Sequence, residues 1–337
     1  VEGVWEASGS SPYGGSWEAA CAVLQAAGFD AVFPCVQYGP VARWDASGIP
    51  VSPDMGGDPL QACLDAAHSR DMAVHAWVVL WKLSWLDPAA SDSFRAIHPT
   101  QVGVDGSPSD WLCPTDPANR ALEIRILREM AERYPLDGLN LDFVRFPDGD
   151  HCYCQGCRTR FEQHRGAVVE DWPREVYFGG SLHDEYWEWR RSAITSFVSQ
   201  VSEVLSEASP DLVLSVDVIP DTSEARGNCG QDWPAWCRDG TVDLLVPMNY
   251  TGSADSLAAW TRLQAGIAGE VPVAAGIGAF STGAEMTAPQ LVEQVGAAMD
   301  AGAVGWVVFQ YCDRLASILG EISGGLGWAA DRRRAGG

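Results

Sequence analysis

The chain has 337 residues, room for one large domain or two ordinary ones of roughly 150 residues each. Apolar residues make up 47% and charged residues 20%, a balance that supplies a full core and excludes intrinsic disorder. With 45 acidic against 22 basic residues, a net charge of −23, the surface excludes nucleic acid and anionic membranes as partners, and no apolar run reaches the roughly 20 residues of a membrane helix.

Two oddities stand out: 15 tryptophans, and a single lysine, Lys82, among the 22 basic residues. The chain opens at Val1 with neither a charged nor an apolar leader, which reads as a processed chain whose precursor carried an export signal. A periplasmic or extracellular location is the expectation, a cytoplasmic one the alternative.

In chain order, β-like runs fall at Gly3–Glu6, Ala31–Cys35, Met72–Leu80, Gly138–Val144, Leu212–Val218, Leu244–Met248, Val271–Ile277 and Val304–Phe309. Helical patterns stand between them. Ser16 precedes an apolar-periodic run from Trp17 to Ala27, with Gly28 as its stop. Asp58-Pro59 and Asp116-Pro117 each pair an N-cap with a proline at the first helical position. Thr287 with Gln290 makes a capping box. Eight strand–helix units predict an α/β fold, one (β/α)8 barrel over residues 1–323, with a flexible tail at 324–337 holding Trp328 and Arg332 to Arg334. A doubly wound sheet is disfavoured, since Gly14-Gly15 stands alone where a phosphate loop would need more glycines.

The spacing is uneven. Long segments follow the third and fourth strands, on the face where barrel active sites are built, and they carry Trp81, Trp85, Trp111, Trp172, Trp187 and Trp189. The fourth strand, Asp137-Gly-Leu-Asn-Leu-Asp-Phe-Val-Arg-Phe-Pro147, carries the most chemistry. Alternation turns Leu139, Leu141 and Phe143 toward the helices and points Asn140 and Asp142 into the barrel. An inward carboxylate at a strand end is costly unless paired or used, so Asp142 is the central catalytic candidate, with Arg145 beside it.

Here the chain resembles the bacterial glycosyl-hydrolase-like family 10. Asp137 to Asp142 with Arg145-Phe146-Pro147 looks like that family's signature. Gly3-Val4-Trp5, Val74 to Trp77, Trp111 to Pro114, Asp116 to Arg120 and Pro247 to Tyr250 resemble other pieces of it. The resemblance spans roughly Val1 to Leu315 and implies cleavage of O-glycosidic bonds in a poly- or oligosaccharide, with no cofactor needed for catalysis. The chitinase pattern fits poorly, because Val144 stands where its acidic proton donor would be and Asn140 replaces an aspartate. The alpha-amylase pattern suits Asp142 better as a nucleophile.

A glycosidase of this kind needs a second carboxyl group. Parity in Leu214-Ser-Val-Asp-Val-Ile-Pro220 turns Asp217 inward on the neighbouring strand, which makes it the expected partner; Glu6, at the end of the first strand, is the runner-up, and Asp221 and Asp313 follow. Sugar faces stack on aromatic rings, so Trp77, Trp81 and Trp306 are expected to line subsites, and Trp5 and Trp260 to be core. Asn249, Tyr250 and Gln310 end strands and are expected to touch substrate; His75 and Lys82 are further candidates. A barrel that binds glycans without cleaving them and a transglycosylase are the alternative readings.

Cys152-Tyr-Cys154-Gln-Gly-Cys157 together with Cys113 has the ligand pattern of a structural tetrathiolate zinc site; one or two disulfides, or free thiols, are the competing readings. Cys21, Cys35, Cys63 and Cys312 read as buried thiols, and Cys229 and Cys237 as a pair that an oxidising compartment would join.

Overall fold

The eight runs become eight parallel strands around one barrel. The computed structural model describes residues 1–9, 15–53, 55–83, 88–280, 286–322 and 326. Its barrel strands are β1 (Glu2–Glu6), β2 (Ala31–Tyr38), β4 (Ala73–Val79), β7 (Gly138–Asp142), β8 (Val213–Val218), β9 (Leu244–Pro247), β10 (Ala274–Gly278) and β11 (Gly305–Phe309). They are hydrogen-bonded in the order β10-β11-β1-β2-β4-β7-β8-β9, and bridges from Leu245 to Val273 and from Met248 to Gly276 close the ring. A short β3 (Val41–Ala42) runs antiparallel to the end of β2. The outer helices are α1 (Trp17–Ala26), α2 (Pro59–His68), α4 (Pro117–Arg133), α6 (His183–Ala208), α9 (Ala254–Ala268), α10 (Ala288–Asp300) and α11 (Asp313–Glu321), with shorter α7 (Thr222–Asn228) and α8 (Trp233–Arg238) between β8 and β9.

The helices begin where side chains can satisfy their free N–H groups. Ser16 accepts from Ala19 N, Asp58 from Gln61 N, and Asp116 from Ala118 N and Asn119 N, each of the two aspartates followed by its proline. Thr287 and Gln290 form the expected capping box of α10. Alternation along the strands separates two apolar layers. Val4, Val32, Val74, Leu139, Leu141 and Val216 pack outward against the helices. Trp5, Phe33, Cys35, Trp77, Val246 and Val307 fill the barrel interior.

The long segments hold more structure than the periodicity predicts. The one after β4 contains α3 (Pro88–Arg95) and a hairpin of β5 (Thr100–Val102) with β6 (Pro108–Leu112); the one after β7 contains α5 (Gln155–Arg165). The fourth barrel strand stops at Asp142 rather than Val144, because Phe143 turns into the left-handed region at φ 58°. That turn also reverses the expected facing of Phe143, which lines the barrel mouth instead of the helix layer. The seventh barrel strand starts at Ala274, three residues later than expected. Trp260, expected in the core, stands on α9 with 40% of its surface exposed. Trp85 and nearly all of the 324–337 tail lie outside the described residues. Among the described residues no helix is long and apolar enough to cross a membrane.

The first residues of the fourth-strand motif are structural. Asp137 accepts from the Val74 backbone N–H at 2.8 Å and pairs with His68 at 2.9 Å, tying β4, α2 and β7 at the foot of the barrel. Gly138 leaves room for His75: a Cβ there would lie 2.0 Å from the imidazole Nδ1.

One buried acid sits in the seam between barrel and helix. Glu123 on α4 accepts from Gln37 Nε2 at 3.0 Å and from the Trp81 backbone N–H, and burial pushes its carboxyl up to about 8. The unfolded chain ionises near 4.5, so Glu123 increasingly opposes folding as pH rises from there to about 8. Glu123→Gln should leave the unfolding free energy nearly unchanged at pH 4.5 and raise it by a few kcal/mol at pH 8 in denaturant titrations. An unaltered pH dependence would show that this carboxyl is ionised in the folded protein.

Candidate active site

A cavity of about 410 Å³ opens at the C-terminal ends of the strands, lined by Trp5, Cys35, Tyr38, Trp77, Asp142, Phe143, Asp217, Met248, Tyr250, Phe309 and Gln310 among others. The face is the one where barrels build active sites. The walls are largely aromatic, and two carboxyl groups lie in them.

Asp142 and Asp217 stand side by side. The register pairs Asn140 with Ser215 and Leu141 with Val216, which brings the next inward step, Asp142, level with Asp217 on a strand roughly 4.8 Å away. Both are buried. Asp142 accepts from the Phe143 backbone N–H at 2.7 Å and from the Trp77 indole N–H at 3.2 Å. Asp217 accepts from Asn140 Nδ2 at 3.0 Å. Asn140 is itself held, donating to Ser215 Oγ and accepting from Trp5 Nε1 at 3.2 Å, and the same indole N–H reaches Asp217.

Their environments push the two acids apart. Burial raises the Asp142 carboxyl to about 6, against the pull of Arg145, the Phe143 and Trp77 N–H groups and Lys82. Burial, and then the charge of Asp142, hold Asp217 well above the usual carboxylate range, opposed by its bonds from Asn140 and Trp5. Two like charges this close cannot both form cheaply, so the pair favours sharing one proton, and burial together with the Asp142 charge favours Asp217 as its holder. The Tyr250 phenol is raised by burial and by both acids, which keeps it protonated. Gln310 presents a buried Oε1 that has no hydrogen-bond partner among the described residues.

Several other expected site residues lie elsewhere. Glu6 points to the helix side, opposite in parity to Trp5, and its carboxylate accepts from Ser8 N and Gly9 N at 3.0 and 2.7 Å. Trp81, fully buried at φ 68°, packs edge-on against Phe197 of α6. Trp306 faces outward on β11 and packs on Phe29. Asn249 turns away to exchange two 2.8 Å hydrogen bonds with Gln264 of α9. His75 is stacked on Phe33 at 4.6 Å, level with the start of β7, and burial lowers it to about 4, so it stays neutral. Asp221 caps α7, and Asp313 is the first residue of α11.

Arg145 and Lys82 act on the cavity from behind its wall. The Arg145 guanidinium donates to the carbonyls of Phe146 and Pro147 and lies 4.8 Å over the Phe143 ring. The Lys82 ammonium stands 5.9 and 5.5 Å over the rings of Tyr38 and Phe143. Neither lines the cavity, and both favour the ionised form of Asp142. The cavity residues missed from sequence are Trp5, Ala7, Cys35, Tyr38, Val79, Phe143, Met248 and Phe309. Parity on the last strand was the available signal for Phe309: it turns Trp306 out and Phe309 in, opposite Trp5 in the neighbouring strand.

Beside the mouth, Cys113 from the β6–α4 junction meets Cys152, Cys154 and Cys157 at the start of α5. Their four sulfurs lie within 4.8 Å of one another, a group able to hold a metal ion. All ten cysteines are free thiols, so no disulfide joins these four or links Cys229 to Cys237.

A family model described as Glycosyl hydrolase-like 10 matches residues 28–279. The chain is 26% identical over 297 residues to glycosyl hydrolase DigH of Escherichia coli (strain K12), covering 73% of this chain and 63% of that one. It is 21% identical over 253 residues to glycosyl hydrolase YngK of Bacillus subtilis (strain 168), covering 69% and 46%. It thus spans less than two thirds of the length of these relatives. Among solved structures, the PgaB (BpsB) glycoside hydrolase domain from Bordetella bronchiseptica superposes with a TM-score of 0.68 at 13% identity, covering 94% of this chain and 95% of that one, a likeness of fold.

If Lys82 helps hold Asp142 ionised, Lys82→Met should move the Asp142 carboxyl upward from about 6, as read by carbon-13 NMR titration of labelled aspartate. An unchanged midpoint would place the ammonium outside the site's electrostatics.

Proposed function

The chain belongs to the glycosyl hydrolase-like 10 family, and from that membership we propose that it hydrolyses O-glycosidic bonds of a poly- or oligosaccharide, with Asp142 and Asp217 as its working carboxyl pair. The observation that carries this reading is the pair itself: two inward acids level on adjacent strands in one aromatic cavity, with Asp217 held further above the usual carboxylate range than Asp142. A glycosidase needs that division of labour, one carboxylate and one carboxylic acid across the scissile bond.

The steps follow from the placement. A sugar ring enters the cavity and stacks on its aromatic walls, with Gln310 Oε1 accepting a hydroxyl hydrogen. Asp142 attacks the anomeric carbon as the carboxylate. Asp217 gives its proton to the departing glycosidic oxygen, so the C–O bond breaks with the leaving group neutral. The covalent glycosyl ester on Asp142 then meets water; Asp217, now ionised, takes the water proton as the hydroxyl adds to the anomeric carbon, and both acids return to their starting states. The steps are written for retention because Asp142 and Asp217 stand level on adjacent strands, a backbone spacing of roughly 4.8 Å that suits the short carboxyl separation of retaining enzymes. Asn140 and Trp5 position Asp217; Trp77 and the left-handed turn at Phe143 position Asp142.

Asp142→Asn should lower kcat on any polysaccharide or aryl glycoside that the wild type cleaves by about a thousandfold or more. For the wild type, kcat/KM should rise as pH climbs through about 6, where Asp142 ionises, and fall at higher pH as Asp217 loses its proton. Activity that survives Asp142→Asn would remove this residue from the chemistry and leave the pair without its nucleophile.

We further propose that the four cysteines hold one structural zinc ion. A zinc ion with sulfurs at about 2.3 Å sets them about 3.8 Å apart on the edges of a tetrahedron. The sulfurs of Cys113 and Cys157 lie 3.5 Å apart and those of Cys113 and Cys154 lie 3.9 Å apart, which fits that spacing and is far from a bonded disulfide. Arg160 Nη2, 3.6 Å from Cys113 Sγ, offsets the negative charge of such a centre. With all four ligands from protein, zinc would join the β6–α4 junction to α5 and play no part in the chemistry. Elemental analysis should find one zinc per chain, and Cys157→Ser should lose it and lower the melting temperature by several degrees; a metal-free wild type of normal stability would refute the assignment.

A further inference from the structure

Outside the central cavity, the rim carries a second hollow of about 290 Å³ between the segment leaving β8 and the outer face of α9, lined by Ile219, Pro220, Asp221, Trp260, Leu263 and Gln264. Trp260 is the one tryptophan exposed among the described residues, at 40%, and Leu263 beside it is 61% exposed. The other described tryptophans are buried or half-buried. A large flat ring left in water next to a proline and a leucine is unexplained by the barrel's own packing.

We propose that this hollow is a second glycan-binding site, which holds one neutral sugar ring of the polysaccharide against the face of Trp260; the proposal rests on the hydrolase reading for the identity of its polymer. Three observations select that occupant. The volume is at the lower edge of the roughly 300–1,000 Å³ of small-molecule sites, enough for one ring and too narrow for a helix. The lining mixes an aromatic face with an acid. Asp221 uses one oxygen to cap α7 through Glu224 N at 2.8 Å, which leaves the other oxygen of this exposed carboxylate to accept a sugar hydroxyl. That acid, and a chain carrying a net charge of −23, favour neutral sugars over acidic ones.

The hollow is also tied to the catalytic cavity. Ile219, Pro220 and Asp221 begin two residues after Asp217. Gln264 donates to the Pro220 carbonyl at 3.3 Å and exchanges hydrogen bonds with Asn249, the neighbour of two cavity residues, Met248 and Tyr250. A ring seated on Trp260 therefore rests on the rim wall shared with the site of cleavage, where it would hold a polymer close to the catalytic cavity.

The test uses the full chain carrying Asp142→Asn, so that bound polymer is not consumed. Native gels containing soluble xylan, mixed-linkage β-glucan, α-mannan or glycol chitin read retardation. At least one polymer should slow the protein, and adding Trp260→Ala, or Leu263→Arg to fill the hollow from an exposed position, should weaken that binding about tenfold with the melting temperature unchanged. Retardation by none of the four polymers, or retardation equal with and without these changes, overturns the proposal. So does a wild type that elutes as a dimer and becomes monomeric with Leu263→Arg, because the hollow is then an interface between copies. The hydrolase reading is judged separately, by cleavage assays on the wild type: Trp260-dependent retardation stands if those fail, and cleavage stands if retardation does not appear.

Discussion

Everything at the mouth of this barrel depends on two carboxyl groups being buried next to each other. Burial alone disfavours ionisation of both, and the first charge to form disfavours the second. Among the described residues no salt bridge relieves this at the pair. The protein assigns different partners instead. Asp142 receives a backbone N–H, an indole N–H and the field of two cations behind the wall; Asp217 receives only a neutral amide and an indole N–H, while facing the Asp142 charge. The cost of that crowding is a loss of folding stability; on the proposed hydrolase reading, the return would be a proton held where an acid catalyst needs it.

The fourth-strand motif joins fold and chemistry in a single run of residues. Its foot, Asp137 and Gly138, ties β4 to β7 and makes room for His75. Its middle, Asn140, orients the acid of the next strand. Its head, Asp142, sits where the strand breaks. A left-handed aromatic residue costs on the order of 1–3 kcal/mol, and at Phe143 that strain serves two ends. It aims the Phe143 N–H at the carboxylate, and it swings the ring into the cavity wall, where Arg145 and Lys82 lie against it. The cysteine cluster follows on the same loop, so the segment that carries the head of the motif is also the one the metal centre would anchor.

The barrel was legible in the sequence because its signals are local: β-like runs recur eight times, and caps, two of them followed by a proline, mark the starts of several helices between them. The inward facing of Asn140, Asp142 and Asp217 was legible for the same reason, since a strand has period 2. What escaped was set by interactions distant in sequence or by departures from the period. Phe143 left the alternation through a positive φ. Trp81 looked like a rim aromatic until α6 supplied Phe197 to cover it, and Asn249 looked like a substrate ligand until Gln264, fifteen residues on, matched its amide. Glu6 failed on parity, a test available from the sequence, since Trp5 and Glu6 cannot both face inward. Trp5 is buried as a core residue would be, yet its N–H belongs to the site.

On this account the two carboxyls share a single proton at neutral pH, and it sits on Asp217. Infrared difference spectroscopy tests it directly, because a protonated carboxyl and a carboxylate absorb at different frequencies. Spectra of the wild type and of Asp217→Asn at pH 7 should differ by the loss of one protonated carboxyl band, whereas Asp142→Asn should differ from the wild type by the loss of one carboxylate. If Asp217→Asn instead removes only a carboxylate signal, the proton is not where the geometry puts it, and the assignment of acid and nucleophile is wrong.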